Sequence, residues 1–495
     1  MIENSAVYQI GGQKHHRADE FLFVLKSIIA KQIKEGKIVI CMFFDIEKFF
    51  DKEQISDAII TCRFRGVDPK AARLWFKLNK NTNIKVKTSV GLSESVNVGA
   101  VVGQGTLGGA IMSQGVLDEG ISEIFTPGLE GESNYGKVKM APLMFQDDLS
   151  HIIDNTMYAR ESAMKIDLVL KKKGLNINES KCATLVMGSE KKKQLVISDI
   201  EKDPIICGGS EIKLKNNYKW LGQTISSEGL TNCVYETILN RKGKISSATN
   251  EIIVVINNWR STFSGGMESA ILMWEQCIIP SLLNGCGNWT KMCEKSVKIL
   301  NDIQNLFLLK ALQMGQGTPK VALLWETGLL DMRLRVWKEM LFLLIHIKNL
   351  DPDSLANQFY REQLKENWPG LVSECKLICE KLGLKDLTFT NEENIKIKIN
   401  NACVKINEKW LRIKAQGKAK CARILRDPYG KKVIFRKTKY LMLERFSGLE
   451  LLCNHFHKII NIVICMRKQI GYVHVWKEKK VKIICYRRIV QSMET

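Results

Sequence analysis

Apolar residues recur at helical spacing from Ala18 to Glu35, and Gly36 stands where such a helix would end. Ile38 to Phe44 is then almost wholly apolar and β-prone, and it stops at Asp45. That run predicts a buried strand delivering a carboxylate at its end. Residues 69–82 carry helical periodicity, and 84–101 alternate through Ile84, Val86, Val90, Val96 and Val98 as a hairpin does. A glycine-rich stretch at 103–109 precedes a helical pattern from Ala110 to about Ile124. Val138 to Met144 leads into Phe145-Gln146-Asp147-Asp148, and Ser150 to Ile153 resumes β character, which predicts a tight hairpin with carboxylates at its tip. A helix from Tyr158 to Lys172, a stop at Gly174 and a strand from Ala183 to Met187 follow. Beyond Trp220-Leu221-Gly222 the pattern turns helical over 234–262, 266–283, 295–314 and 333–348. From residue 400 on, no period stands out.

The length of 495 residues suggests about three domains. A hydrophobic content of 45% with 25% charged residues excludes wholesale disorder. Lys and Arg exceed Asp and Glu by 74 to 52, a net charge of +22, which points to nucleic acid first and an anionic membrane surface second. No apolar run approaches the roughly 18–20 residues of a membrane span, so a membrane partner is not expected. The first residues lack a basic stretch followed by an apolar one, so the chain is expected to be intracellular rather than secreted. Fifteen cysteines without a Cys-x-x-Cys pair fit reduced thiols, and Cys375 with Cys379 in an amphipathic stretch reads as core packing. Cys453, His455, His457, Cys465, His474 and Cys485 match no standard zinc spacing, so zinc is not expected. The charge excess concentrates late: residues 411–440 hold eleven Lys and Arg against Asp427 alone.

Asp45 and the Asp147-Asp148 pair carry the candidate chemistry. Like charges gathered at strand ends repel unless a cation neutralises them. Two divalent ions about 3.5–4 Å apart would do so and would suit the in-line displacement of phosphoryl transfer. Magnesium fits oxygen ligands and keeps waters that substrate phosphates can replace. An Asp-Asp dipeptide is by itself most often a solvated turn. The β-prone runs on either side, and the upstream strand ending in Asp45, weigh against that bland reading here.

The order of these features resembles the reverse transcriptase domain of non-LTR (LINE-type) retrotransposons over residues 9–222. The matching blocks are Gln9-Ile-Gly-Gly-Gln-Lys-His-His-Arg17, Phe44-Asp-Ile-Glu-Lys-Phe-Phe-Asp51, Gly103-Gln-Gly-Thr-Leu-Gly-Gly109, Phe145-Gln-Asp-Asp148, Gly174-Leu-Asn-Ile-Asn-Glu-Ser-Lys181 and Lys219-Trp-Leu-Gly222. Each block alone is unspecific; six in the right order and at sensible spacing are not. Ile279-Pro-Ser-Leu-Leu283 and Leu324-Trp-Glu-Thr-Gly328 extend the likeness more weakly.

The resemblance implies an α+β fold: a right-hand polymerase palm with partial fingers, then a helical thumb and a mostly helical, basic C-terminal region. The implied divisions are partial fingers over 1–40, palm with fingers elements over 41–222, thumb or connection over 223–350 and the basic region over 351–495. It implies an RNA-directed DNA polymerase that extends a primer 3′-hydroxyl with dNTPs, using RNA template, DNA primer or target, and two Mg²⁺ with Mn²⁺ as a substitute. Asp45, Asp147 and Asp148 would hold the metals, and Lys181 would act as general acid toward pyrophosphate. Phe50 would be the steric gate against a 2′-hydroxyl, with core packing as the bland alternative. Lys14, Arg17, Gln104 and Gly105 would line the nucleotide. Trp220, Leu221 and Gly222 would grip the primer, and the ring of Trp220 has a plain packing role as its alternative. Arg412, Lys414, Lys418, Lys420 and Arg423 would track the RNA backbone unless they form a merely solvated face. Such elements act at chromosomal DNA, which implies nucleus as well as cytoplasm.

The sequence also departs from the family pattern. Gln13 stands where an arginine is usual and His15 where a glycine is usual; Gln146 replaces a smaller residue, and no Pro-Leu-Ser follows Gln104-Gly105. Eight residues precede the first block, so a 5′-truncated copy is expected. A catalytically inactive nucleic-acid-binding remnant is therefore a second reading, and a group II intron maturase or another template-directed polymerase a third.

Overall fold

The computed structural model describes residues 8–11, 13, 15–64, 66–80, 83–85, 87–88, 91–97, 117, 120–121, 125, 135–138, 140–260, 266–387 and 394–416. Lys14, Gln104, Gly105, Lys418, Lys420 and Arg423 lie outside them, as do most of the helix expected over 110–124 and the Cys and His residues beyond 450. Helices and antiparallel strands are interspersed up to residue 226, and the described elements beyond it are all helical.

Four antiparallel strands form the main sheet in the order Leu143–Phe145, Asp148–Ile153, Val39–Asp45, Ala183–Met187. Val39, Cys41 and Phe43 enter one core, while Ile40, Met42 and Phe44 enter another. Covering on both faces is why the central strand reads as an unbroken apolar run. Helix Thr156–Lys172 covers one face through Ala159, Ala163, Ile166 and Leu170. Its start is capped by Asn155, whose side chain accepts from the Met157 N–H, and Gly174 ends it at φ +68°.

The other face meets helix Ala18–Lys34 and the hairpin of Asn217–Trp220 with Gln223–Ser226. Thirteen of the 17 residues in that helix are buried, because it also touches helices Leu230–Arg260 and Leu355–Glu366 and the turn Cys286–Asn288. Several of its polar groups are paired, although Gln32 Oε1 is buried with no hydrogen-bond partner among the described residues. Lys26 Nζ donates to Gln223 Oε1 at 2.5 Å and to the Asn288 carbonyl at 3.0 Å, and burial lowers its pKa to about 8. Glu20 lies 2.7 Å from His16 Nδ1 and 2.8 Å from His346 Nε2, which joins the start of the chain to helix Met332–Lys348. Burial opposes the charged form of Glu20, but the two imidazoles outweigh it and hold the carboxyl below its usual range.

The helical half continues through Glu294–Ala311, Lys320–Thr327, Leu371–Leu382 and Ile395–Gln416. The helix expected over 266–283 is interrupted: Gly266–Met273 widens into a π turn, Trp274–Ile278, ahead of Ile279–Leu282. Pro280 has no N–H to continue the ladder there. Cys375 and Cys379 are buried free thiols. Among the described residues no helix is long and apolar enough to cross a membrane.

Candidate active site

Asp45 ends the central strand directly across from Asp148. Phe145 pairs with Asp148, so the chain reverses over Gln146 and Asp147 alone. A two-residue hairpin turn calls for positive φ at its first position, and Gln146 adopts +60°. Asp45 shares its sheet face with Phe43, two residues earlier. Tyr218 stacks on Phe43 there, with ring centroids 4.6 Å apart. Like charges directly opposite each other destabilise a sheet, so this pairing is costly without a counter-charge.

The segment before strand Ala183–Met187 braces the end of the central strand. The Asn178 N–H donates to the Asp45 carbonyl at 2.7 Å, and the Asp45 N–H lies 3.5 Å from Cys182 Sγ. Between them the short turn Glu179–Lys181 brings Lys181 Nζ to 3.3 Å from Asp45 Oδ2. Burial raises the pKa of Asp147, the nearby charge of Asp45 adds to it, and its own backbone N–H and Lys181 oppose it. Asp148 is pushed up to about 7 by burial first, then by Asp147 and Asp45, against Lys181 and Lys219. The three carboxylates thus sit in one electrostatic field with a deficit of positive charge.

That donor set, all hard oxygen, suits magnesium or manganese. Among the described residues no group of three or more His, Cys, Asp or Glu side chains has the arrangement of a preformed metal site. Magnesium sites that use one or two carboxylates and complete their shell with substrate phosphates and water need no such preformed cage.

The remaining expected residues fall around this centre unequally. Phe50 lies on the short helix Phe49–Lys52, half-buried and edge-on to the buried Phe49 at 5.4 Å. Arg17 is exposed just before helix Ala18–Lys34, and Gln13 turns its amide back to the Gln9 carbonyl. Leu221 and Gly222 form the hairpin turn with φ +44° and +77°, a type I′ signature. Trp220 is 1% exposed and packs near Phe43, so its ring is a core group, and the hairpin meets solvent elsewhere. Lys414 lies 3.5 Å from Asp331 Oδ2, and Arg412 sits over the Trp325 ring at 5.9 Å.

Several supporting residues carry little or no signal in the sequence. Asn178 and Cys182 lie in or next to the block that ends at Lys181, and Tyr218 precedes the Lys219 block, so proximity is their only signal. Arg241 gives none. It donates to the Gly222 carbonyl at 2.7 Å and to those of Leu282 and Asn284 at 2.9 and 2.8 Å, fixing the hairpin turn to the helical half.

No protein-family model matches the chain, and no curated protein matches its sequence. Among solved structures it is similar to apo telomerase from Candida tropicalis, with a TM-score of 0.33 and 11% identity over 80% of this chain and 57% of that one. Telomerase from Candida albicans in complex with a TWJ fragment of telomeric RNA gives a TM-score of 0.29 and 12% identity over 70% of this chain and 53% of that one. A C-terminally truncated apo telomerase from Candida tropicalis gives 0.29 and 13% over 44% and 39%. The chain therefore spans between 39% and 57% of these neighbours' lengths. At such TM-scores the likeness carries no functional conclusion.

Proposed function

We propose that this chain is an RNA-directed DNA polymerase of the non-LTR retrotransposon type, extending a primer 3′-hydroxyl on an RNA template with dNTPs. The observation that carries the reading is the meeting of Asp45 and Asp148 as cross-strand neighbours, with Asp147 in the turn beside them and Lys181 3.3 Å from Asp45. In this reading Asp45, Asp147 and Asp148 hold two Mg²⁺, or Mn²⁺ as a substitute. Bound there, the ions supply Lewis-acid stabilisation of the reacting phosphate and lower the pKa of the attacking hydroxyl. Lys181 is a proton donor to the departing pyrophosphate, and the basic surface holds template and primer through phosphates, so binding weakens steeply with salt. The site of action is chromosomal DNA.

The direct test is extension of oligo(dT) on poly(rA) by the purified chain. The reading expects template-dependent, chelator-sensitive dNTP incorporation; its absence under both magnesium and manganese would remove the polymerase. Lys181→Met is expected to lower kcat by roughly 10²-fold. Its thermal midpoint is expected to fall only slightly, because Lys181 opposes the charge of the acids but is largely solvent-exposed. A loss of kcat no larger than twofold in that variant would exclude the proton-donor role. Phe50→Val is expected to raise rNTP incorporation relative to dNTP by at least about tenfold, as deleting a ring that blocks a hydroxyl should. An unchanged ratio in steady-state incorporation would return Phe50 to plain packing.

One observation favours the second reading, a nucleic-acid-binding remnant. The residue at the family's arginine position, Gln13, is engaged with the Gln9 carbonyl and brings no cation toward a triphosphate. Tight, salt-sensitive RNA binding without incorporation under either metal would select it.

A further inference from the structure

The hairpin turn that carries Asp147 has only two residues, and a segment from the start of the chain contacts it from outside its own strands. Residues 8–10 run alongside the edge strand Leu143–Phe145: the Met144 N–H donates to the Tyr8 carbonyl at 2.8 Å, the Ile10 N–H to the Met144 carbonyl at 3.3 Å, and Gln9 bridges Met144 in parallel. Gln9 is fully buried there, and its side-chain amide lies against the turn. Its Oε1 accepts from the Gln146 N–H at 3.1 Å and from the Gly11 N–H at 3.1 Å, while its Nε2 donates toward the Gln146 carbonyl at 3.4 Å.

The Gln9 amide thus meets the backbone of Gln146 with both its acceptor and its donor, as a paired peptide group would. Gly11 presses on the same place. A Cβ at that position would lie 2.4 Å from the Gln146 nitrogen and 2.9 Å from the Phe145 carbonyl carbon, so no side chain fits without moving the turn. Gln146 itself sits at φ +60°, which a residue other than glycine adopts at a cost unless its surroundings enforce it. The hydrogen bonds of the clasp use only the backbone of Gln146, while its Cγ packs on Gly11, 2.8 Å from where a Cβ would stand.

We infer that Gln9 is a positioning residue whose side-chain amide, with Gly11 packed behind it, fixes the Gln146–Asp147 turn and thereby the placement of the Asp147 carboxylate. This rests on the polymerase reading for its consequence but not for its geometry. The block from Gln9 to Arg17 then serves two purposes. The segment that the resemblance places over the nucleotide is hydrogen-bonded to the acidic turn, so the two are built as one unit.

The experiment uses the full chain with Gln9→Met, which keeps the length and removes both polar atoms, and Gln9→Asn, which keeps the amide and withdraws it by one methylene. Amide hydrogen exchange is followed by mass spectrometry. Peptides covering 143–149 are expected to exchange about tenfold faster in both variants, the loss of roughly one hydrogen bond's protection, while peptides from Ala183–Met187 keep their rate. On oligo(dT)·poly(rA), kcat is expected to fall roughly 10- to 100-fold with the KM for dTTP little changed. Unchanged exchange over 143–149 in both variants overturns the inference, whatever activity does; if one variant does not fold, the other decides. A wild-type chain without incorporation overturns the polymerase reading instead, and the exchange data still decide the clasp.

Discussion

Asp147→Asn is expected to leave the chain folded and to reduce primer extension by about 10³-fold, about 4 kcal/mol of lost transition-state stabilisation. The substitution preserves shape and hydrogen-bonding capacity while removing one charge from a cluster in which Asp45 and Asp148 already repel it. Burial and like charge disfavour the ionised form of this carboxyl, so its loss should hold or raise the thermal midpoint even as activity disappears. That opposition is the informative part. A residue that merely shaped the turn would lose activity and stability together. Asp154→Asn, at an acid on the surface beyond the end of strand Asp148–Ile153, should behave as wild type. Equal extension rates for Asp147→Asn and wild type would remove the proposed mechanism.

Glu53→Met is expected to stabilise the protein at pH 8 by roughly 3–5 kcal/mol and to do almost nothing at pH 4.5. Glu53 follows helix Phe49–Lys52 and is 1% exposed, and among the described residues neither carboxylate oxygen has a hydrogen-bond partner. Burial, with Asp57 adding to it, pushes the carboxyl from 4.5 up to about 8. Between those values the folded chain keeps a proton that the unfolded chain releases. Stability therefore falls as pH rises through that window, because the unfolded state binds fewer protons than the native one. Methionine fills a similar volume with no charge to desolvate, so the variant's pH slope between about 5 and 8 should flatten and its midpoint at pH 8 rise by of the order of 5 °C. The check is a series of melting curves at half-unit pH steps. Parallel curves for the two proteins would mean that Glu53 is ionised and satisfied in the native state.

The central strand and the acidic hairpin were legible because burial on both faces leaves an unbroken apolar run, which a single terminal aspartate interrupts visibly. Strand Ala183–Met187 was legible for the same reason. Helix Glu190–Lys202 was not: of its apolar residues only Ile200 is buried, and its charges hide any stripe. Helix Ile395–Gln416 was obscured differently. Its buried face is Ile399, Cys403, Asn407, Leu411 and Ala415, and Asn407 holds its place through polar partners, donating to the Leu329 carbonyl and accepting from the Asp331 N–H. In the sequence that stripe looked like part of a basic tail.

At the site, residue types pointed to the three acids and the resemblance to Lys181 and Phe50, but neither pointed to the residues that pack and hydrogen-bond around them. Trp220 reads the same whether it packs or grips, since an indole serves either end; the structure adds that its ring is buried beside Phe43. Gln9 and Gly11 gave no signal of contact with Asp147's turn, because 137 residues separate Gln9 from Gln146 and the Gln9 amide meets only backbone atoms there, which no sequence motif encodes.

The most direct measurement is Mn²⁺ uptake, followed by electron paramagnetic resonance, in the wild-type chain carrying oligo(dT)·poly(rA) and a non-hydrolysable dTTP analogue. The account predicts two tightly held ions per chain, with the pair lost in Asp45→Asn and in Asp147→Asn. Uptake by the wild type no greater than by those variants would contradict it.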